Sequence, residues 1–323
     1  MTDAAPVLEE LILDGIDRDT ALTIGVFDGV HRGHRYLLDA LKQRAAARGL
    51  ATGVITLHPH PALVLNPRAG IVYLTTLEGR VSLLRRSGVA LVLPLTFTAE
   101  IAHLSARDFL TALRERLRLR FLLTGPDFAL GRERGGGGDT LARLGGEMGF
   151  EVESLGPLIE DGLAISSTAV RTALEEGDVA KAGRLLGRPF TLHGPVVHGV
   201  ERGGVIGFPT ANIAVGPGMA LPSFGVYVSR ARVGGHAYNS VTNIGRRPTF
   251  DNGERTVEVH IMDFAGDIYG KEMRIDLLKR LRGEVRFADA DALSEQIGND
   301  VVAARQYLET ASQPERSGEP LHS

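Results

Sequence analysis

The sequence contains no cysteine and no tryptophan in 323 residues. Without cysteine, the chain cannot form a disulfide, use a thiolate nucleophile or hold zinc through sulfur. No stretch approaches the ~20 consecutive apolar residues that a membrane-spanning helix needs, and the acidic N-terminus lacks the basic start and apolar core of a signal peptide. These absences favour a cytoplasmic protein with no membrane partner.

The charge of the chain is nearly balanced, with 36 basic and 39 acidic residues and a formal net charge of −3. This balance provides no field that would attract nucleic acid or an anionic membrane. Hydrophobic residues make up 43% of the chain, which is enough to bury real cores. At about 150 residues per domain, the length favours two domains. The oligomeric state stays open, with a weak homo-oligomer as one alternative.

Strand-like and helix-like segments alternate through the first half of the chain. Apolar runs typical of strands occupy residues 22–26, 51–57, 90–95, 121–124 and 151–155. Helical patterns occupy residues 33–47, 76–87, 105–117 and 141–148. Ser105 and Asp108 form a capping box at the third helix. The alternation predicts an α/β domain, a parallel sheet with helices on both faces and a ligand crevice at the carboxyl ends of its strands.

The pattern changes after a predicted helix at residues 178–186, where Gly187 and Pro189 interrupt the chain. Runs typical of β-strands then follow at residues 190–198, 225–233, 236–244, 257–264 and 272–281. They predict an antiparallel barrel or sandwich. Residues 289–308 are predicted to form one closing helix, and the polar tail at residues 312–323 is predicted to be disordered.

Two glycines and two histidines lie where the first predicted strand turns into the first helix. Amides at a helix N-terminus form an anion site, and Gly25 and Gly29 would let the backbone approach a phosphate closely. His31 and His34, three residues apart, can share one helix face and donate hydrogen bonds to phosphate oxygens. A bare pair of histidines at this spacing is usually an exposed pair or an adventitious metal site, but this context favours phosphate chemistry.

A second helix start, rich in hydroxyl groups, lies at residues 165–171. Ser166, Ser167 and Thr168 precede a predicted helix at residues 169–176, and Arg171 lies in its first turn. Ser167 or Thr168 would serve as the N-cap of that helix. An N-cap position is also an anion site, so the structural and the phosphate-binding interpretations are compatible.

In the β-rich half, Thr210 and Asn212 lie two residues apart in an extended segment and would point to the same side. Their neutral oxygens could reach one hard cation such as Mg²⁺, with phosphates completing the shell. Taken alone, this pattern is a common polar turn. Glu258 could likewise be a solvated residue on a strand, and His260 is better explained as a strand-face or core histidine than as a second base.

Residues 25–34 resemble the His-x-Gly-His signature of the nucleotidyltransferase superfamily, in the flavin-specific form with Phe-Asp-Gly before it. Residues 56–61 and 125–131 resemble the Pro-His-Pro and Gly-x-Asp-Phe-x-Phe-Gly loops of that branch, with Leu130 in place of the second Phe. The resemblance implies adenylyl transfer from ATP, with the two histidines as catalytic residues. The nucleotide contacts that it implies are Gly25, Phe27, Asp28, Gly29, Gly33, Asp127, Ser166, Ser167, Thr168 and Arg171. The flavin contacts that it implies are His60, Pro61 and Phe128.

Residues 207–212, Gly-Phe-Pro-Thr-Ala-Asn, resemble the signature of riboflavin kinases. Further segments similar to that family follow in order at residues 225–227, 243–250, 257–264, 267–270 and 281–287. The resemblance implies that Thr210 and Asn212 hold magnesium-ATP and that Glu258 is the base that deprotonates the ribityl hydroxyl of riboflavin. The other nucleotide contacts that it implies are Gly199, Gly203, Gly207 and Pro209. The flavin contacts that it implies are Asn243, Arg282 and Phe287.

Together the two resemblances cover roughly residues 20–308, in the order of bacterial bifunctional riboflavin kinases and FAD synthetases. They imply an N-terminal Rossmann-like nucleotidyltransferase domain at residues 1–186 and a C-terminal riboflavin-kinase antiparallel β-barrel with a closing helix at residues 187–311. ATP would be the co-substrate, riboflavin, FMN and FAD the substrates and products, and Mg²⁺ is expected at both sites. An enzyme that has kept one activity and a non-catalytic flavin-binding protein remain alternatives.

Overall fold

The computed structural model describes residues 10–11, 17–126, 128–129, 137–198, 207–246 and 255–312. The chain divides into two compact units, Met1–Ser167 and Thr168–Ser323. This division falls earlier than the predicted domain boundary after Leu186, because the helix that ends at Leu186 packs against two strands of the second unit. A functional boundary at that residue stays a prediction.

The first unit is built around five parallel strands, β1 (Thr20–Gly25), β2 (Ala51–His58), β3 (Leu91–Thr96), β4 (Leu119–Thr124) and β5 (Glu151–Ser154). They form one sheet in the order β3-β2-β1-β4-β5. Its helices are α1 (Arg32–Ala47), α2 (Pro61–Leu65), α3 (Leu77–Arg85), α4 (Ala99–His103), α5 (Ala106–Leu117) and α6 (Gly138–Met148). A hairpin follows, of β6 (Ile159–Glu160) and β7 (Leu163–Ala164). The predicted parallel α/β architecture is confirmed.

Helices cover both faces of this sheet. On one face, Leu22 and Ile24 of β1 pack with Phe109 of α5. On the other face, Ala21 of β1 packs with Leu41 of α1. Successive side chains of a strand point to opposite faces, so a strand covered on both sides is mainly apolar along its length. β1 also buries two threonines among its apolar residues. The carboxyl ends of β1 and β2 remain at one edge of the sheet, where their loops lead to α1 and α2.

The second unit is an antiparallel barrel flanked by helices. The helices α7 (Ser167–Glu175) and α8 (Val179–Leu186) precede the barrel, and α9 (Ala290–Ser312) follows it. Its strands are β8 (Phe190–Val197), β9 (Ala211–Ile213), β10 (Gly225–Val233), β11 (His236–Arg246), β12 (Arg255–Ile261) and β13 (Glu272–Arg282). They close in the order β10-β11-β12-β9-β8-β13. The barrel prediction is therefore confirmed, and the sandwich alternative is wrong.

The barrel has a mainly apolar interior that also buries three hydrogen-bonded hydroxyl side chains, and its outer surface is partly polar. Val257, Val259 and Ile261 of β12 are buried, and the alternate residues of the same strand point outward. On part of the outer surface, Ala304 and Leu308 of α9 pack against valines of β10 and β11. α9 therefore covers one side of the barrel and leaves the neighbouring outer positions for polar side chains.

The C-terminal helix is longer than the sequence predicted. α9 continues through Ser312, four residues past the predicted end and one residue into the predicted tail. The rest of that tail, residues 313–323, lies outside the described residues. Within the described chain, the helices are all too short or too polar to cross a membrane.

Candidate active sites

The turn between β1 and α1 has an unusual backbone. Phe27, Gly29 and Val30 have φ angles of 53°, 80° and 41°, and glycine alone adopts this region without steric cost. The Val30 N–H donates to the Phe27 carbonyl oxygen across 3.1 Å and closes the turn. Strained backbone of this kind concentrates at functional sites. The sequence predicted a phosphate-binding turn here because of its glycines.

The structure brings the two predicted catalytic histidines together at the start of α1. His31 is the N-cap residue, and its Nδ1 atom accepts the backbone N–H of His34 across 3.2 Å. The two rings stack, with 3.6 Å between their centroids and 18° between their planes. Because Nδ1 of His31 is an acceptor, a neutral His31 ring carries its proton on Nε2. That N–H is a donor that could bind an anion.

Gly33 lies where no side chain fits. A Cβ atom on this residue would lie 2.6 Å from the carbonyl oxygen of Ile165 and 3.1 Å from Nδ1 of His31. The glycine therefore allows residue 165 to approach the start of α1. A Cβ on Gly25, also predicted to contact nucleotide, would lie 3.2 Å from the ring of Phe27.

Asp28 stabilises the turn between β1 and α1 through buried hydrogen bonds. Its buried carboxylate accepts the backbone N–H groups of Leu74, at 3.0 Å, and Thr75, at 3.1 Å. Its carbonyl oxygen accepts the hydroxyl of Ser167 across 2.9 Å. These bonds give Asp28 a structural role in the turn, and its predicted contact with nucleotide stays a prediction.

His34 has a strongly perturbed ionisation. Burial is the main cause that holds its pKa well below the ordinary value of 6.5, and the charges of His31 and Arg80 lower that pKa further. The pKa of His58, at the end of β2, is lowered by burial and then by the charge of Arg80. Both imidazoles are therefore neutral near pH 7. A neutral His34 can donate one ring N–H without adding a buried positive charge.

The second predicted phosphate element differs locally from the prediction. α7 begins at Ser167, two residues before the predicted helix start, so Ser167 and Thr168 are its first residues and not its N-caps. Ser166 precedes the helix. Thr168 and Arg171 belong to the second unit, and their predicted contacts with nucleotide remain predictions.

The loop after β2 is held by an aromatic residue that the sequence interpretation missed. The hydroxyl of Tyr73 accepts the N–H of His60 across 2.6 Å. Nδ1 of His60 accepts the N–H of Ala62, so His60 caps α2, and Pro61 occupies the first turn of that helix. Phe128 packs against the core of the sheet, whereas Asp127 and Leu130 lie outside the described residues. The flavin contacts predicted for this loop remain predictions.

In the second unit, the strand register places three predicted site residues in one row. Asn212 of β9 is opposite Glu258 of β12, which is opposite Asn243 of β11. Directly opposite residues share a face and lie about 4.5–5.5 Å apart. This row is on the outer surface, since the residues on either side of Glu258 point into the barrel. Thr210 directly precedes β9.

His260 holds the segment that leads to this row. Its Nδ1 atom lies 2.9 Å from the carbonyl oxygen of Pro209, so the ring donates that hydrogen bond. The Phe208 ring contacts it edge-on, with centroids 5.4 Å apart. His260 is therefore a strand-face residue with a structural contact, as the sequence predicted. Gly207, which precedes Phe208, has φ of 83°, and Gly199 and Gly203 lie outside the described residues.

Arg282, predicted to contact flavin, is engaged by a carboxylate that sequence reasoning missed. Its Nε and Nη2 atoms donate to the two oxygens of Asp300 on α9, at 3.0 and 2.8 Å. The guanidinium carbon lies 5.6 Å from the centroid of the Phe287 ring. Arg282 and Phe287 are thus brought together, and their contact with flavin stays a prediction. An aspartate in a long amphipathic helix carries no sequence signal for this role.

Comparisons with known proteins cover both units. A family model described as FAD synthetase matches residues 14–169, and one described as riboflavin kinase matches residues 186–308. The chain is 41% identical over 289 residues to a bifunctional riboflavin kinase/FMN adenylyltransferase of Escherichia coli K12, covering 89% of this chain and 92% of that protein. The relative of the same description in Bacillus subtilis is 36% identical over 294 residues, covering 90% and 92%.

A solved structure resembles most of the chain. It is described as a macrolide-efflux protein from Streptococcus pneumoniae, with 31% identity and a TM-score of 0.83. The similarity covers 90% of this chain and 95% of that one. The fold of this chain is therefore similar to that structure over nearly the full length of both proteins.

Proposed function

The chain belongs to the family of bifunctional riboflavin kinases and FMN adenylyltransferases, and from this premise we propose which residues carry out each reaction. The C-terminal half phosphorylates riboflavin with ATP to FMN, and the N-terminal half adenylylates FMN with ATP to FAD. Two observations support this assignment: strand register puts Asn212, Glu258 and Asn243 in one row, and His31 caps the helix on which His34 lies and stacks on its ring.

In the kinase half, we assign the proton transfer to Glu258. The terminal ribityl hydroxyl of riboflavin attacks the γ-phosphorus of ATP, the bond to the β-phosphate oxygen breaks, and ADP leaves. Glu258 accepts the proton of the attacking hydroxyl. Asn212 and Asn243 lie on either side of it in the row and orient the phosphate and the flavin. General-base catalysis of this kind contributes about 10² to 10⁴ in rate.

Thr210 and Asn212 fit a magnesium ion. A hydroxyl and an amide oxygen are hard, neutral ligands of the type that Mg²⁺ accepts together with phosphates and water. No cluster of three or more His, Cys, Asp or Glu side chains suited to a metal occurs within the described residues, so nucleotide phosphates would supply the negative ligands. When bound, magnesium would neutralise charge on the phosphates.

In the adenylyltransferase half, a phosphate oxygen of FMN attacks the α-phosphorus of ATP, and pyrophosphate leaves. This step requires no base, because the attacking oxygen is already deprotonated. His31 donates through Nε2 to the phosphates, and neutral His34 donates a ring N–H as charge shifts to the leaving group. The N-terminal amides of α1 add to this stabilisation. We further propose that the reactions take place in the cytoplasm.

A time course tests the two activities on which these assignments depend. Purified protein is incubated with riboflavin, excess ATP and magnesium, and the flavins are separated by chromatography. FMN should rise and then fall as FAD accumulates. FMN without FAD would contradict the role of His31 and His34, and flavin binding without conversion would favour a storage protein.

A further inference from the structure

Arg80, on α3, is completely buried beneath the two loops that carry the candidate adenylyltransferase residues. Its Nη1 atom donates to the carbonyl oxygen of Val26 across 2.9 Å and to that of Leu57 across 3.1 Å. Val26 directly follows β1, and Leu57 is the second-last residue of β2. One guanidinium nitrogen therefore joins the carboxyl ends of two neighbouring strands.

A second set of contacts reaches the same two loops. Nη2 of Arg80 lies 4.0 Å from Oδ1 of Asp28, which belongs to the turn before His31. The guanidinium carbon lies 5.4 Å from the centroid of the Tyr73 ring, and the hydroxyl of Tyr73 accepts the N–H of His60. Arg80 is therefore connected to both the histidine turn and the loop after β2.

Burying a cation costs free energy that neighbouring acceptors must offset, and an apolar side chain of similar volume is often at least as stabilising. A completely buried arginine is therefore weak evidence for a stability role. The contacts of Arg80 lie at the carboxyl ends of β1 and β2 and in the loops that follow them, where the candidate adenylyltransferase residues lie. This location points to a role in the reaction.

We propose that Arg80 is a positioning residue for adenylyl transfer, which fixes the spacing between the turn that carries His31 and His34 and the loop that carries His60. The proposal rests on the proposed function of these loops. Phosphate donors must be placed within a fraction of an ångström, and a misplacement of 1 Å can cost about 100-fold in rate.

The charge of Arg80 has a second effect. The groups whose charge acts on His34 are its stacked neighbour His31 and Arg80, and both lower the pKa of His34. Asp28 lies beside Arg80, with its Oδ1 atom 4.0 Å from Nη2. Without the guanidinium, the pKa of His34 should rise toward its ordinary value, and His34 would become charged at a higher pH.

The test compares Arg80→Met, which removes the charge at similar volume, with Arg80→Lys, which keeps a charge but replaces the planar fork by one ammonium. Riboflavin phosphorylation by the same preparation serves as the internal control of concentration and folding. We expect Arg80→Met to lower kcat for FAD formation by about 100-fold, to leave FMN formation unchanged and to move the acid limb of the pH profile to higher pH. Arg80→Lys should lower kcat less and leave the acid limb in place.

Two results would overturn the proposal. One is FAD formation by Arg80→Met at the wild-type rate. The other is an equal loss of kcat for FAD formation in both variants, with the acid limb of the pH profile unchanged. That result would mean that Arg80 contributes to packing alone.

A pH titration of His34, which does not depend on catalysis, tests the role of Arg80 separately from the proposed adenylyltransferase activity. In protein labelled with ¹⁵N-histidine, the ring signals of His34, identified by their loss in His34→Gln, are followed against pH. Their midpoint should rise in Arg80→Met and stay in Arg80→Lys, and an unmoved midpoint in Arg80→Met contradicts the proposal. Absence of FAD formation by the wild-type protein would contradict the proposed function instead, and the titration would still be readable.

Discussion

Nδ1 of His31 accepts the backbone N–H of His34, and the two imidazoles stack with centroids 3.6 Å apart. One side chain thus both caps α1 and orients the second ring. Two charged imidazoles at this distance would repel each other, and the lowered pKa of His34 avoids that repulsion. The capping role and the chemical role of His31 can be separated experimentally, because asparagine also caps helices.

We expect His31→Asn to lower kcat for FAD formation by about 100-fold, since one preorganised donor is lost, while the helix cap is retained. The measurement is the rate of FAD formation from FMN, with the free energy of unfolding determined in parallel. Riboflavin phosphorylation, which depends on the other unit, should be unchanged. A variant that forms FAD at the wild-type rate would remove His31 from the mechanism.

Gly33→Ala should destabilise the first unit by about 1–3 kcal/mol, because the added Cβ meets the carbonyl oxygen of Ile165 at 2.6 Å. Urea unfolding followed by circular dichroism measures the change. Gly146→Ala is the matched control, since Gly146 is exposed in the interior of α6 and its Cβ would contact nothing within 4 Å. That control should stabilise the protein by about 0.5–1 kcal/mol. Equal effects of the two substitutions would contradict the steric argument.

Glu258→Gln should lower kcat for FMN formation by about 10² to 10⁴, with riboflavin binding retained because the side chain keeps its shape. Conversion of added FMN to FAD should be unaffected. Glu272→Gln, an exposed change at the start of β13, is the control and should leave both rates unchanged. Phosphorylation at the wild-type rate by Glu258→Gln would exclude this residue as the base.

The stability of the first unit should fall as the pH is lowered below about 6.5. The pKa of His34 is lower in the folded state than in the unfolded chain, so between the two values the unfolded chain binds more protons and stability rises with pH. The contribution is complete above the unfolded value and is lost as the pH falls toward the folded one. His58 acts in the same direction. Unfolding free energies between pH 5 and 8 should show a flatter dependence for His34→Gln than for the wild type.

Periodicity and capping patterns predicted much of the fold. The N-cap half of the capping box predicted at α5 is present, because Ser105 accepts the N–H of Asp108. The Asp108 carboxylate accepts the hydroxyl of Ser105, whereas a complete capping box would have it accept the backbone N–H of Ser105. By contrast, β9 has three residues, which is too short for a period of two to be visible. The start of α7 was predicted two residues late. Serine is a common N-cap residue, but the hydroxyl of Ser167 donates to the carbonyl oxygen of Asp28, which is far away in the sequence.

The sequence predicted those candidate site residues that lie in local motifs, and it missed those that only the tertiary structure brings to the sites. His31, His34, Asn212 and Glu258 lie in motifs, so their residues could be named before the structure. Arg80 could not be named, because an arginine in a helix is usually exposed, and only the tertiary structure places it under two strand ends. Asp300 was missed for the same reason.

Closure of the barrel also fixes which way Glu258 points. If β12 slipped by one residue against its neighbours, Glu258 would turn into the mainly apolar interior, and both Val257 and Val259 would come to the surface. In an open sheet, one edge strand can shift while the rest stays in place. Here each strand is paired on both sides, so a slip at β12 would require displaced pairings with both β11 and β9. Insertions of a single residue within β12 should therefore be far less tolerated than insertions in the loops that flank it.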